Sequence, residues 1–239
     1  MNNHEGNVEH KTHAVETAGA MLSKDAAIVE QAHAHGKYTV EATGPLEEFR
    51  AQYIYLRDRL ARGGFVGMVD RLLNGKHLRA EFLSIPMEPK WVAEAHNIVV
   101  NAGKNLALDT YLAGSAYTVV GPYMFLAGGT PASATATDTM ASKTGWMEVG
   151  GTNAPQYSGT RKTCAWSAAA TGSKALSSAL SFAMTTGGTV AGCGIVFGSG
   201  AVNTIDSTAG TLYSVGVFTG GSKTVQNGDT LNVSYSAGL

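Results

Sequence analysis

The residues that could perform chemistry are few, and their spacing does not match a catalytic pattern. Ser199, in the loop Gly198-Ser199-Gly200, is the best candidate for a nucleophile. Hydrolases place such a serine in a G-x-S-x-G turn between a strand and a helix, and that pattern is absent here. All seven histidines lie within residues 1–96, so a Ser-His-Asp set would have to join the two halves of the chain. We therefore expect no catalytic residues and no enzyme activity.

Histidines are the candidate metal ligands. His33 and His35 are two residues apart, which would place them on different faces of a helix. No acidic residues follow a pattern that would orient them as ligands. Three more histidines precede them in the polar start of the chain, namely His4, His10 and His13. The sequence predicts no metal site.

Glycines near the end of the chain are the candidate phosphate-binding residues. Gly192 and Gly194 do not fit the dinucleotide pattern G-x-G-x-x-G, and no segment fits the Walker phosphate loop. Within an apolar run, such glycines mark a close approach of neighbouring chain or a bulge. We predict that role for both and expect no cofactor.

Charged residues near position 50 allow two further hypotheses. The adjacent Glu47 and Glu48 point different ways on a helix, which favours a helix-dipole role over the carboxylate pair of a glycosidase. A modest basic run follows, close to Tyr53 and Tyr55 and interrupted by acidic residues. It consists of Arg57, Arg59, Arg62, Arg71, Lys76 and Arg79. We interpret it as a solvated helix face, with nucleic-acid binding as the alternative.

Charge divides the chain into two parts. Residues 1–96 hold 11 of the 17 Lys and Arg residues and 13 of the 18 Asp and Glu residues, which leaves 11 charges for residues 97–239. Packed interface cores are depleted of charge, so we infer that the second part forms protein contacts. The alternative is that small polar residues simply suit tight β-turns. A net charge of -1 gives no general attraction to nucleic acid or to a membrane surface.

The remaining compositional signals concern location and redox state. No apolar run reaches the roughly 18 residues that a transmembrane helix needs, and the polar start of the chain does not resemble a signal peptide. We expect a protein made in a cytoplasm. Cys164 and Cys193 lack the CxxC spacing of a zinc or redox site. Buried free thiols are our prediction, because a reducing compartment disfavours a disulfide.

The first 89 residues are predicted to form an arm and a small module. Residues 1–36 form the arm, with an amphipathic helix from Val15 to His33. Residues 37–89 form an α+β module that starts with a strand at Lys37–Glu41. A helix is predicted over residues 45–61, since Pro45 and two carboxylates mark its start. Asn74-Gly75 favours a hairpin over residues 65–83, with a continued helix as the alternative.

Residues 90–239 are predicted to be a β-sandwich or jelly-roll-like domain, so the fold class is mainly β. A short helix is expected from Asn101 to about residue 113. Glycine-rich turns separate the apolar runs, and Pro122 indicates an edge or bent strand. The predicted strands are 117–126, 164–167, 180–184, 190–197, 211–218 and 230–234.

Four stretches carry a resemblance to a known family. They are IVVNAGKNLALDTYLAG (98–114), DTMASKTGWMEVGG (138–151), NAPQYSGTRKTCAWS (153–167) and TAGTLYSVGVFTGGSKTVQNGDTLNVSYS (208–236). In this order they resemble a family of tailed-bacteriophage virion structural proteins, over about residues 90–239. The resemblance implies a virion component without catalytic residues, and it leaves residues 1–89 as an added module.

The expected function is therefore a capsid decoration or cement protein. Its expected partners are the major capsid protein or other virion proteins, and a homo-oligomer, with a trimer as our choice, is expected. One alternative is a neck, tail adaptor or tail-fibre-associated protein. Another is a host-surface glycan-binding module, in which Trp146 and Tyr157 would stack on a sugar unless they are loop anchors. Neither specific nucleic-acid binding nor membrane association is expected.

Overall fold

The computed structural model describes residues 35–112 and 120–238, and within them strand residues outnumber helical ones. The mainly β prediction is confirmed. The helices, after a 3-10 turn at Glu47–Phe49, are α1 Arg50–Ala61, α2 Gly64–Ser84 and α3 Asn101–Leu112. The strands are β1 His35–Pro45, β2 Met87–Val99, β3 Tyr123–Ser133, β4 Gly145–Val149, β5 Lys162–Thr163, β6 Ser173–Ala175, β7 Leu180–Ala183, β8 Gly188–Val190, β9 Gly192–Phe197, β10 Thr211–Phe218, β11 Lys223–Val225 and β12 Thr230–Gly238.

Ten of these strands form one antiparallel sheet. Its order is β4-β3-β9-β10-β2-β1-β12-β6, with β5 also paired to β3 and β7 also paired to β12. Beyond β5, the Ser167 amide donates to the Ala175 carbonyl at 3.0 Å, and the Ser177 amide donates to the Ala165 carbonyl at 2.9 Å. These bonds link the β5 end of the sheet to the β6 end. Strands β8 and β11 form a separate pair.

Alternation of side chains along the strands divides the core between the two faces of the sheet. In β3, Met124 and Leu126 join the inner cluster, while Phe125 and Ala127 join a cluster on the opposite face. The inner cluster is the larger and includes Tyr38, Val40, Phe182, Cys193, Leu231, Val233 and Tyr235. The residues of β12 alternate between buried and more exposed as its sequence predicts.

Helices α1 and α2 form a pair inserted between β1 and β2. The helix predicted at 45–61 is confirmed at its end, Ala61, but its start is wrong, because Pro45 still pairs with Met87 as the last residue of β1 and α1 begins at Arg50. The hairpin predicted over residues 65–83 is wrong, because these residues belong to the 21-residue helix α2. Leu78 and Phe82 are spaced by one helical turn and pack against α1, so helical periodicity outweighs the turn preference of Asn74-Gly75.

Strand β1 lies inside the main sheet. It pairs with β12 from His35 to Thr43 and with β2 on its other edge. The predicted strand at Lys37–Glu41 is therefore the centre of a longer one. Strand β2 runs through residues 89 and 90, and residues 35–238 form one compact unit. The predicted arm helix at 15–33 and its histidines lie outside the described residues, apart from His35.

Other predicted strands need corrections of position. Ala191 divides the run 190–197, with Val190 in β8 and the rest in β9. Of the run 117–126, residues 117–119 lie outside the described residues, and β3 begins after Pro122 and lies between β4 and β9 rather than at an edge. The pairing expected at 164–167 falls at β5, with an isolated bridge at Trp166. The runs 180–184, 211–218 and 230–234 correspond to β7, β10 and β12, and the predicted short helix is α3.

Both glycines of β9 confirm their predicted packing role. A methyl group on Gly194 would collide with the ring of Phe125, and one on Gly192 would collide with the carbonyl of Gly216. In the Asn227-Gly228-Asp229 turn before β12, Gly228 has a φ of +95°, a conformation that favours glycine. These positions allow neighbouring strands to approach closely.

A buried carboxylate organises the loop between β3 and β4. Asp138 accepts hydrogen bonds from the Thr144 hydroxyl at 2.6 Å, the Thr135 hydroxyl at 2.8 Å and the Trp146 indole nitrogen at 2.8 Å. Burial alone would raise the pKa of Asp138, but these hydrogen bonds and one from the Thr135 amide outweigh it and lower the pKa. The ionised form is thus the one that fits the fold.

Replacement of Asp138 by Asn should flatten the acid dependence of stability. Because the folded-state pKa is lowered, ionised Asp138 stabilises the fold above its unfolded-state pKa of about 3.9, and this contribution is lost as the pH falls through the folded-state pKa. Urea midpoints measured from neutral pH down to about pH 2 should fall less steeply for Asp138→Asn. Asp109→Asn, at an exposed position on α3, is the control and should keep the wild-type slope. A urea midpoint of Asp138→Asn that falls with pH as steeply as that of the wild type would contradict this prediction.

Candidate functional site

The outer face of α2 is the most unusual surface of the described residues. Three side chains on one stripe of this helix face solvent: Met68, Leu72 and Leu83, with Leu72 82% and Leu83 80% exposed. The spacing of four and eleven residues places them on the same side of the helix. Leu73, 73% exposed, extends the apolar surface around the helix. Several large apolar side chains exposed on one face in this way are a feature of contact sites for another protein or a membrane.

Positive charge lies in the middle of this stripe. Lys76 and Arg79 are exposed between Leu72 and Leu83, and neither is among the ion pairs of the described residues. We call Met68, Leu72, Lys76, Arg79 and Leu83 the outer stripe of α2. A partner would have to offer apolar surface together with carboxylates.

A groove of about 510 Å³ lies beside the outer stripe, between α1 and α2. Tyr55, Leu73 and Asn74 line it, as does the ion pair of Arg59 with Asp70. The Arg59 guanidinium donates two hydrogen bonds of 2.6 Å to the Asp70 carboxylate, and these bonds lower the pKa of Asp70. The bidentate pair joins the two helices, so the groove has a defined wall.

The helical pair is attached firmly to the sheet at its base. The Arg50 guanidinium donates to the Asn227 carbonyl at 2.7 Å and to Asp229 at 3.1 Å. The Arg57 guanidinium donates to the Met184 carbonyl at 3.2 Å and to the Asn227 side chain at 3.0 Å. Tyr53 and Phe82 stack with ring centroids 4.9 Å apart. The outer stripe is therefore presented from an anchored element.

The basic run divides into structural and exposed members. Arg57 and Arg59 make the bonds just described, whereas Arg62, Lys76 and Arg79 are exposed. Of the adjacent residues Glu47 and Glu48, Glu47 accepts two hydrogen bonds from Arg50, at 2.8 and 3.0 Å. These bonds, against a smaller effect of burial, lower the pKa of Glu47. Glu47 thus holds the start of the helical pair through a side-chain contact.

The described residues do not bring together the Ser-His-Asp set that was considered from the sequence. Ser199 lies in the turn after β9, and no hydrogen bond in the described part of the chain joins it to His77 or His96. No group of three or more His, Cys, Asp and Glu side chains there could hold a metal ion. Within the same residues, no helix has the length and apolarity needed to span a membrane.

Trp146 and Tyr157 do not have the exposure that stacking on a sugar requires. Trp146 is 5% and Tyr157 4% exposed. Trp146 stacks on Phe125 with centroids 5.4 Å apart, and Tyr157 meets Phe182 edge to face at 5.0 Å. Both side chains pack in the core, Trp146 from strand β4 and Tyr157 from the segment after it, and this agrees with the anchoring alternative that the sequence left open.

A buried ion pair was not predicted from the sequence. The Arg161 guanidinium donates to both oxygens of Glu148, at 2.8 and 2.7 Å, and to the carbonyls of Val202 and Ser207, at 3.0 and 2.6 Å. Both side chains are 2% exposed or less. The pair joins β4 to two loops, and its signal in the sequence was the rarity of charge in residues 97–239. Neither residue lines the groove between α1 and α2.

Comparisons of the chain with protein-family models, with curated proteins and with solved structures found no match.

Glu148→Gln should strongly destabilise the protein. The substitution removes the negative charge and leaves the Arg161 guanidinium buried without its counter-ion, which costs about 3–5 kcal/mol. Urea denaturation would measure the loss. The matched control is Glu94→Gln, which breaks the exposed pair with Lys37 and should change the free energy of unfolding by about 1 kcal/mol or less. Equal effects of the two substitutions would contradict a structural role for the buried pair.

The two cysteines should resist modification in the folded protein. Cys164 and Cys193 are free and buried, and burial raises the pKa of both thiols, that of Cys164 to about 12. Little reactive thiolate is then present at pH 8. A disulfide reagent such as dithionitrobenzoate should label both thiols in urea and neither in buffer. Rapid labelling of the folded protein, or no labelling in non-reducing urea, would contradict this prediction.

Proposed function

We propose that the protein is a bacteriophage virion structural protein, in the role of a capsid decoration or cement protein that stabilises the head through protein contacts. The observation that supports this best is the outer stripe of α2, which exposes three large apolar side chains on an anchored helix. Burial of a leucine side chain stabilises an association by roughly 1.5–3 kcal/mol. In the isolated chain these side chains stay exposed, so this stabilisation is gained only on association.

The chemistry of the described residues agrees with a binding role. The buried carboxylates Asp138, Glu148 and Asp229 are each engaged by hydrogen bonds that hold loops or helices in place. Arg161 is likewise committed to Glu148. These four buried ionisable groups thus serve the scaffold, and the exposed contact surface is displayed from residues 64–84.

The proposed partner is the major capsid protein or another virion protein. A lattice of identical subunits offers the same contact many times, so modest individual affinities combine through multivalency. We propose a homo-oligomer, with a trimer at three-fold positions, because a closed assembly would display several outer stripes together. Carboxylates beside apolar side chains on the partner would complement Lys76 and Arg79.

The central experiment adds purified protein to phage particles that lack it. Retention of hundreds of copies on heads, located by electron microscopy, is the expected result. Tens of copies at the neck or tail would favour the adaptor or fibre-associated alternative. Absence of retention on any part of the particle would remove the proposal.

Leu72→Glu and Leu83→Glu should each weaken retention on heads by about tenfold or more, since an apolar contact of about 1.5 kcal/mol is replaced by a charge. The matched control is Leu108→Glu, the same substitution at a half-exposed position on α3. Sedimentation of heads with bound protein gives the bound fraction, and circular dichroism checks the fold. Equal retention of all three variants and the wild type would show that the outer stripe of α2 is not the contact.

A further inference from the structure

A small cavity opens at the end of the inner core where β12 finishes. It has a volume of about 180 Å³. Its walls are mainly rings, supplied by Pro122, Trp166, Phe197, Tyr213 and Tyr235, and Lys174 is the charged residue of its lining. An apolar cavity of about 150 Å³ is large enough for benzene. This one therefore has room for a single six-membered ring.

Two aromatic pairs give the cavity a defined shape. Trp166 meets Tyr235 edge to face with ring centroids 5.9 Å apart, and Phe197 meets Tyr213 in the same manner at 5.5 Å. Edge-to-face contacts of this kind favour one relative orientation of the rings. An additional flat ring between the two pairs would find both faces and edges of aromatic partners.

The hydroxyl of Tyr235 is engaged by a residue of strand β2. The Tyr235 hydroxyl accepts a hydrogen bond of 2.9 Å from the Asn97 side-chain nitrogen, and a Cβ added at Gly36 in β1 would collide with that hydroxyl. Tyr235 therefore contributes its aromatic ring to the cavity wall. A sugar in the cavity would bury hydroxyl groups with few partners, which is costly.

Lys174 supplies a positive charge at the rim. Its side chain is exposed on β6, and it takes part in none of the ion pairs found within residues 35–112 and 120–238. A ligand that fills the ring-lined space and carries an anionic group would place that group beside Lys174. A neutral ligand would leave the lysine without a counter-charge.

We propose that this cavity binds an aromatic carboxylate: one six-membered aromatic ring joined by a short linker to a carboxylate. The ring packs among Trp166, Phe197, Tyr213 and Tyr235, and the carboxylate pairs with Lys174. A free aromatic acid has this chemistry, and so does an aromatic residue at the carboxyl end of a polypeptide. The site is independent of the outer stripe of α2 and of the proposed function.

The test is calorimetric titration of the full-length protein with 3-phenylpropionate and with its neutral amide, 3-phenylpropanamide. We expect saturable one-to-one binding of the acid, weaker binding of the amide, and loss of the difference at high salt because the ion pair is screened. A peptide ending in phenylalanine, tested with a free or an amidated carboxyl end, distinguishes the two sources. Tighter binding of the free-ended peptide than of 3-phenylpropionate indicates a chain end, and weaker binding indicates a free acid.

Three variants separate the contributions of charge and of space. Lys174→Gln should weaken the acid about threefold to fivefold and leave the amide unchanged, as expected for a partly exposed ion pair. Ala237→Leu adds bulk in the cavity wall and should weaken both probes. Lys104→Gln, at an exposed position on α3, should bind both probes as the wild type does.

Three results would overturn the proposal. One is the absence of saturable binding of 3-phenylpropionate to the wild type. Another is an equal effect of Lys174→Gln on the acid and the amide. The third is unchanged binding by Ala237→Leu when its circular dichroism spectrum and urea midpoint match those of the wild type.

Discussion

Hydrogen bonding along both edges of β1 is the constraint on which the rest of the structure depends. On one edge β1 pairs with β12, near the end of the chain, and on the other it pairs with β2. Its inner side chains Tyr38, Val40 and Ala42 are buried, so the strand contributes to the core as well as to the ladder. A backbone that is paired on both sides leaves few buried polar groups unsatisfied. The charge-rich first part and the charge-poor second part are thereby combined into one sheet.

Scarce charge in the second part has a structural explanation. Residues 97–239 contain five carboxylates, and Asp138, Glu148 and Asp229 are buried. Each organises a connection: the loop before β4, the Arg161 pair, and the turn that receives Arg50. A buried charge is tolerated only with close partners, so these few residues specify where irregular segments attach to the regular sheet.

Patterns within short segments of the sequence predicted several strands and the end of one helix. The strands at 211–218 and 230–234, and the end of the helix predicted at 45–61, depend on residues close in the chain, and these predictions are confirmed. The hairpin predicted at 65–83 is wrong because apolar side chains spaced by three and four residues favour a helix more strongly than Asn74-Gly75 favours a turn. The ring-lined cavity could not be predicted, since Trp166, Phe197 and Tyr235 are brought together only by strand pairing across distant segments. The outer stripe of α2 could not be predicted either. Its side chains share one face only in a helix, and the sequence favoured a hairpin in this segment.

The point of insertion of the helical pair separates two properties of the protein. Pro45 and Met87, the residues before and after the insertion, face each other as a paired position of β1 and β2. The chain therefore leaves and re-enters the sheet at one spot, and the forty-odd residues between need satisfy only their own packing and the contacts of Arg50 and Arg57. Helices of other lengths or surfaces are compatible with the same framework. Substitutions on the outer surface of the helical pair can therefore change that surface without altering the strand pairing of the sheet.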